Sequence, residues 1–463
     1  MAILRYPRLL LLACICWIGA LATATAQQNP PKIGLALSGG GARGAAHVGI
    51  LRVLEQERIP IHCIAGTSFG ALVGGLYSLG YSPDEIERIF TNQDWENIFS
   101  DAPERSLTRL IERSNARYQA RISFHGWSPE LPSGLLAGQR LTEVLDKLIT
   151  DRLLRAGYDF DKLPIPFRAV ATNLLDGKAY VFRKGSMTEA LRASMSIPLL
   201  FTPLEKDGML LADGGLVDNL PVEVAQSMGA DIVIAVDATS PLLSIDKLRT
   251  FVSVMDQSIS LQMEQNVEKS RHLARILLKP DLEKYASSDY EKFSQIVKQG
   301  EAEAKRRLPE LKALAAGIPP QPPAPPASVD TPVIHSISFR GLKQIGTYQL
   351  RANIRVRPGE AVDPAKIGED VERLYATRLF DSVAYTLEPA GENRYDLVFN
   401  AKESLMNTLG ASLRFDNDYH FVALAEFTAR QLFNSPSTLT ISSQFGGLED
   451  HFASLRLSPL QAQ

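Results

Sequence analysis

The chain has 463 residues, of which 45% are hydrophobic and 22% charged, a length that suits roughly three domains of ordinary size. Its 49 basic and 52 acidic side chains leave a formal charge of −3, which excludes the basic balance a nucleic-acid partner requires. Residues 1–26 stand outside the fold. Arg5 and Arg8 precede an apolar run from Leu9 to Leu21, and Ala24-Thr25-Ala26 is a small-residue cleavage site. This is the pattern of a secretory signal peptide cut before Gln27. A retained membrane anchor wants a longer apolar run. Cys14, in Leu11-Leu12-Ala13-Cys14, follows too short an apolar stretch for a lipoprotein box to be favoured. After cleavage Cys63 alone remains of three cysteines, which excludes an internal disulfide and a thiolate metal cluster. No metal and no cofactor is expected.

Lys32 to Leu37 reads as a strand and Ala45 to Glu57 as a helix, with Ser38-Gly39-Gly40-Gly41-Ala42-Arg43-Gly44 between them. Successive backbone N–H groups in such a loop, opening onto a helix N-terminus, make an anion-binding concavity. Gly39, Gly41 and Gly44 also satisfy the G-x-G-x-x-G dinucleotide fingerprint, which asks for an acidic residue at the end of the next strand. The next strand, Ile61 to Ala65, instead runs into Gly66-Thr67-Ser68-Phe69-Gly70 and then an apolar run from Ala71 to Leu79. Strand, sharp turn and helix make a nucleophile elbow, with Ser68 at the turn and Gly66 and Gly70 permitting the close approach. With a nucleophile candidate where the carboxylate would stand, the loop is better read as an oxyanion hole for acyl transfer.

Strand-like runs at 32–37, 61–65, 165–172 and 231–237 alternate with helical stretches, which predicts a mostly parallel sheet with helices on both faces. Ser82-Pro83-Asp84-Glu85 is a helix start, with Ser82 as cap and Glu85 completing a capping box. Between residues 95 and 140 the pattern loosens, and Trp95, Phe99, Phe124 and Trp127 fall among polar residues. They fit either a mobile or membrane-touching cover or a satellite core.

Asp213 follows the apolar run Met209 to Leu211 and precedes Gly214 and Gly215. Ser68 needs a base to accept its proton. None of the seven histidines lies in an evident catalytic motif late in the domain; His47, behind the glycine loop, and His62, before the elbow, read as structural. Asp213 is the better partner, provided that burial lifts it above the ordinary carboxylate pKa of about 3.9.

Gly-Gly-Gly-Ala-Arg-Gly, Gly-Thr-Ser-Phe-Gly and Asp-Gly-Gly, in this order after strands, resemble the patatin-like phospholipase family over residues 32–312. His47, Gly49 and the run Ala193-Ser194-Met195-Ser196-Ile197-Pro198 match as well. The resemblance implies an α/β/α sandwich and acyl-ester hydrolysis of lipids by a Ser–Asp dyad. It makes Ser68 the nucleophile and Asp213 the general base, and places Gly39, Gly40, Gly41 and Arg43 in the oxyanion loop. Gly215 stands where many members have Ala. Arg43 hints equally at an anionic head group and at an ion pair within the fold.

Residues 313–331 are a proline-rich linker, extended and semi-rigid. Residues 332–404 carry a β-α-α-β-β pattern. Its Phe339-Arg340-Gly341 turn and Leu379-Phe380-Asp381-Ser382-Val383 resemble a POTRA module, the periplasmic docking domain of outer-membrane barrel transporters. In residues 405–463 the side chains alternate: Leu439, Ile441 and Phe445 face one way, Thr438, Thr440, Ser442 and Gln444 the other. Transmembrane β-strands alternate so, and so does an ordinary antiparallel sheet. Position after a POTRA-like module favours the start of an outer-membrane barrel. About four strands fit where closed barrels begin at about eight, so the sequence reads as truncated.

Signal peptide, patatin-like domain, POTRA-like domain and barrel start together resemble the patatin-type autotransporters. That layout implies a Gram-negative outer-membrane or cell-surface protein assembled by the barrel-assembly machinery, with a homodimer left open. Two function classes result: a phospholipase A or other lipid esterase, and a secretion or assembly protein whose passenger is catalytically inert. A soluble periplasmic esterase is a third reading.

Overall fold

A computed structural model describes residues 30–101, 120–125, 128–130, 133–319, 332–343, 345–377, 379–404, 407–416, 420–430, 437–446 and 450–457. The expected signal peptide, Trp127 and the proline-rich stretch 320–331 lie outside these residues. The first part of the chain runs β1 (Ile33–Leu37), α1 (Ala46–Gln56), β2 (Cys63–Thr67), α2 (Phe69–Ser78) and α3 (Pro83–Thr91). A hairpin of β3 (Ala120–His125) and β4 (Ser128–Glu130) follows, then β5 (Gly134–Leu136), α4 (Gln139–Arg155), β6 (Phe167–Asn173), β7 (Lys178–Phe182) and α5 (Met187–Ser194). Next come β8 (Leu199–Phe201), β9 (Leu204–Lys206), β10 (Met209–Asp213), β11 (Ile232–Val236), α6 (Phe251–Arg271), β12 (Ile276–Leu278), α7 (Phe293–Arg306) and α8 (Leu308–Ala315).

The central sheet has the order β12-β11-β1-β2-β6-β10-β9, with β7 also on β6. The five strands from β12 to β6 are parallel, as the sequence predicts. β10 and β7 pair antiparallel with β6, and β9 antiparallel with β10. Every residue of β1 and β2 is buried, because helices cover both faces. Such strands read as continuous apolar runs rather than alternating ones. The capping box at Ser82 is present: its Oγ accepts from Glu85 N at 3.2 Å, and Ser82 N donates to Glu85 Oε2 at 2.8 Å.

Two glycines set the contact between α1 and α7. A Cβ on Gly300 would lie 1.9 Å from the Ala46 carbonyl oxygen, and one on Gly49 2.0 Å from that of Val297. Neither neighbour is a side chain that can swing away. Gly300→Ala is therefore expected to force the helices apart and cost roughly 1–3 kcal/mol, read as a lower midpoint in thermal unfolding. An unchanged midpoint would mean that the helices part freely.

Trp95 and Phe99 join Phe69, Phe90, Tyr290 and Phe293 in one aromatic cluster, with stacked pairs such as Trp95–Tyr290 at 4.7 Å between centroids. They are packing residues around Phe69, but they lie against the main core of the domain rather than in a satellite one. Phe124 has a different place: it lies on β3, whose partner strand comes nearly three hundred residues later.

Beyond the linker, β13 (Val333–Arg340), a short helix Thr347–Arg351, α9 (Pro364–Ala376), β14 (Phe380–Pro389) and β15 (Arg394–Glu403) give the expected β-α-α-β-β pattern. The sheet order is β13-β15-β14, over an apolar core that includes Ile334, Val371, Leu374, Val383 and Phe399. Four long antiparallel strands follow: β16 (Asn407–Asp416), β17 (His420–Arg430), β18 (Ser437–Phe445) and β19 (Asp450–Leu457). β3 pairs with the free edge of β16, so that Ile122 stands beside Leu409.

This last sheet inverts the usual pattern. Leu413, Phe415, Phe421 and Phe445 are 51–66% exposed on one face, while Thr408, Ser412 and Thr428 on the other are at most 8% exposed. Among the described residues no helix is long and apolar enough to cross a membrane.

Candidate active site

Strand register brings the two candidate residues level. Leu37 pairs with Gly66, Thr67 pairs with Val170, and Asp213 pairs with Ala171. One step beyond Thr67 puts Ser68 opposite Ala171, so Ser68 and Asp213 flank β6 at the same height. Ser68 is the turn between β2 and α2, with φ 52° and ψ −123°. A non-glycine residue in that region is strained by roughly 1–3 kcal/mol and persists only where its surroundings force it. The surroundings are tight. A Cβ on Gly66 would meet the Gly70 carbonyl oxygen at 2.6 Å, and one on Gly70 the carbonyl oxygens of Leu37 and Ser38 at 2.5 Å. Gly44 faces the Phe69 ring in the same way, Gly214 the Val170 carbonyl and Gly215 the Met263 side chain.

Asp213 is 2% exposed, and burial pushes its carboxyl up to about 6. Hydrogen bonds from the Ser68 hydroxyl and from Gly215 N, the latter 2.8 Å from Oδ1, act the other way and keep it from rising further. A carboxylate so placed is a far better proton acceptor at neutral pH than an ordinary aspartate. The glycine loop passes directly against Ser68: a Cβ on Gly39 would be 3.1 Å from that of Ser68 and 2.5 Å from Asn219 Oδ1. Gly39 N is engaged by Asn219, donating at 3.2 Å to both Oδ1 and the backbone oxygen. Gly40 and Gly41 follow in the same loop, leading into the turn Gly41–Ala45.

The Arg43 guanidinium does not face this space. It is spent on four carbonyls, those of Ala238, Leu282, Tyr285 and Thr239, at 2.6–3.0 Å. His47 is fully buried, and burial lowers it to about 4; its Nε2 lies 2.8 Å from the Ser38 carbonyl, bracing the loop from behind as a neutral ring. His62 Nδ1 accepts from Ile33 N at 3.0 Å. Cys63 is buried beneath the elbow, its thiol pushed up to about 11 by burial. No group of His, Cys, Asp and Glu able to hold a metal ion occurs among the described residues.

Residues 35–225 match the family model described as patatin-like phospholipase. This part of the chain is a patatin-like phospholipase domain. Residues 332–404 match the model described as POTRA, surface antigen variable number repeat. An uncharacterized NTE family protein of Mycobacterium tuberculosis is 34% identical over 209 residues, 45% of this chain and 49% of that protein. The human patatin-like phospholipase domain-containing protein 6 is 32% identical over 215 residues, 45% of this chain and 13% of that protein. The chain thus spans half or less of the curated relatives it matches. Among solved structures, VipD from Legionella pneumophila aligns over 61% of this chain and 67% of its own, at 17% identity and a TM-score of 0.35. BamA from Haemophilus ducreyi lacking POTRA domains 1–3 aligns over 26% and 23%, at 16% identity and 0.23. Scores this low carry no weight for the fold, which rests on the strand order above.

The patatin-like domain holds its elbow with residues that carry no motif chemistry of their own. Ser194, the last residue of α5, accepts from Ser68 N at 2.8 Å and donates to the Val170 carbonyl at 2.5 Å. Two residues on, the Ser196 carbonyl accepts from Asp213 N at 2.9 Å. One short segment thereby ties both candidate residues to a common support. Arg192 locks that segment by donating to Ser196 Oγ at 2.8 Å and to the Ala137 carbonyl at 2.7 Å, and its guanidinium lies 4.5 Å from the centre of the Phe201 ring. The only advance signal for these roles is the run Ala193 to Pro198; no motif singles out Asn219.

Ser194→Ala is expected to leave Ser68 N without its acceptor and to lower kcat about 10- to 100-fold, with little change in KM. A steady-state assay in which kcat stays at the parent value would overturn that assignment.

Proposed function

We propose that the patatin-like domain is a serine acyl hydrolase of lipid esters, with phospholipid as the substrate class, and that Ser68 and Asp213 form its dyad. The reading is carried by the strained Ser68 turn, whose hydroxyl lies between a buried carboxylate and the glycine loop. Asp213 accepts the Ser68 proton as Oγ attacks the acyl carbonyl. The carbonyl oxygen becomes an oxyanion, which the amides of Gly40 and Gly41 stabilise together with the N-terminal end of α2. Collapse breaks the ester C–O bond, and Asp213 returns its proton to the leaving alcohol. Water then repeats the sequence on the acyl-serine: Asp213 takes its proton, the fatty acid departs, and Ser68 regains its hydroxyl. In this scheme Arg43 shapes the loop and touches no substrate. The experiment is release of fatty acid from phospholipid vesicles, run beside hydrolysis of a short soluble ester. Turnover of neither would sink the enzyme reading and leave the inert-passenger alternative.

We also infer that the chain is an exported protein held at an outer membrane through residues 405–463. An ordinary antiparallel sheet buries its apolar face. Here the apolar face is the exposed one, with small polar residues behind it, which is the arrangement of a barrel wall in lipid. Strand β3 continues that face through Ile122, so the catalytic domain contributes an edge of its own. Insertion by the barrel-assembly machinery belongs to the same reading. Fractionation of cells making the chain, with extraction by carbonate and by detergent, tests it. Recovery in the soluble periplasmic fraction would overturn it.

A further inference from the structure

Helix α4 is buried on two sides, which its sequence does not announce. Leu141, Leu145, Ile149 and Leu153 form one stripe and pack into the catalytic core. Gln139, Glu143, Asp146, Thr150 and Leu154 form a second stripe at helical spacing. On a lone domain such a polar stripe would be solvated. In this chain each of its residues is 1–7% exposed.

The POTRA module covers much of it. Gln139 Oε1 accepts from Val383 N at 2.8 Å, while its Nε2 donates to Glu143 at 3.0 Å. Arg140 bridges Glu143 at 2.8 Å and Glu372 of the module at 2.6 Å. About three turns beyond Arg140, Thr150 Oγ1 and the Tyr385 hydroxyl are 2.9 Å apart. Leu154 sits inside the module's own apolar core. The helix thus offers a matched partner for a backbone amide, a carboxylate, a phenol and an apolar pocket along its whole length. A buried polar stripe satisfied at this many points is specific to one partner, since any other would leave its groups unpaired.

We propose that α4 is a docking helix for the chain's own POTRA module, and that this contact holds the catalytic domain on the module when the linker is severed. The domain is then a retained enzyme, and the linker serves to raise the local concentration of a contact that stands by itself. Association, which the test reads, does not rest on the hydrolase reading; only the word enzyme does.

The full chain, with a protease site inserted between residues 320 and 331 and purified in detergent, is cut and passed over a size-exclusion column at micromolar concentration. Ile122→Pro, which breaks the pairing of β3 with β16, is carried in the parent and in every variant so that this ladder does not hold the fragments together, and the two fragments are then expected to co-elute. Thr150→Arg on the helix and Glu372→Arg on the module both fall at positions that become surface once the parts separate, so each fragment keeps its fold. Either variant is expected to weaken the contact by about tenfold or more and to split the peak. Thermal unfolding, compared before and after cutting, checks that the catalytic fragment remains folded. Separation of the fragments that carry Ile122→Pro alone would overturn the proposal. Co-elution of both variants exactly as the parent would overturn the role of α4.

Discussion

Ser68→Ala is expected to abolish release of fatty acid, with a loss of roughly 10⁴-fold or more, while the protein stays folded. The expectation of intact folding follows from what supports the turn. Ser68 N donates to Ser194 Oγ, and the neighbours of Gly66 and Gly70 are backbone atoms. None of these contacts uses the Ser68 hydroxyl. The backbone at φ 52° is strained for alanine as it is for serine, so that variant gains little stability. Glycine adopts the same conformation without penalty. Ser68→Gly is therefore expected to be as inactive as the alanine variant yet more stable by about 1 kcal/mol. A residue kept only for structure would not raise stability when removed. Fatty-acid release and thermal unfolding, measured on parent and both variants, decide the matter. Retained turnover in Ser68→Ala would remove Ser68 from the chemistry.

The parts of the site that could be read in the sequence are those built from contiguous residues. The glycine loop and the elbow each combine strand, turn and helix within about a dozen positions, so periodicity and glycine spacing suffice to find them. Asp213 was legible through its motif, but the way it arrives was not. β10 runs antiparallel to β6, and alternation of strands and helices predicts only the parallel part of the sheet. Ser194 and Asn219 act through backbone hydrogen bonds that depend on tertiary placement, which no local pattern encodes. The stretch between 95 and 140 looked irregular because its strand β3 finds its partner on β16, far along the chain. The polar stripe of α4 would pass for a solvated face, since Gln, Glu, Asp and Thr at helical spacing ordinarily mark one. For Arg43 the sequence leaves a head-group role and an ion pair within the fold equally open; burial turns its guanidinium onto carbonyls, a partner that no local pattern announces.

Asp213→Asn is the second large effect, and its pH dependence separates a base from a structural carboxylate. The parent's carboxyl sits at about 6 because burial disfavours its charge more than Ser68 and Gly215 favour it. Only the ionised form can take the Ser68 proton. Activity is expected to fall about tenfold per pH unit below about 6 and to be flat above it. In the asparagine variant that limb disappears, and turnover drops by roughly 10²–10⁴-fold at neutral pH. Stability moves the opposite way. An ordinary aspartate in the unfolded chain ionises near 3.9, so the folded state binds this proton more tightly. Ionisation of Asp213 therefore costs stability at pH values above about 6, by an amount on the order of 3 kcal/mol for two units of displacement. The penalty shrinks as pH falls through that window and is gone below the unfolded value. Asparagine keeps an acceptor for Gly215 N without the charge. The variant is accordingly expected to be more stable than the parent at pH 8 and nearly equal to it at pH 4, as read from denaturant unfolding at the two pH values. Equal stability at both, with an unaltered pH–rate limb, would show that another group supplies the base and that the Asp213 carboxylate is solvated in the working enzyme.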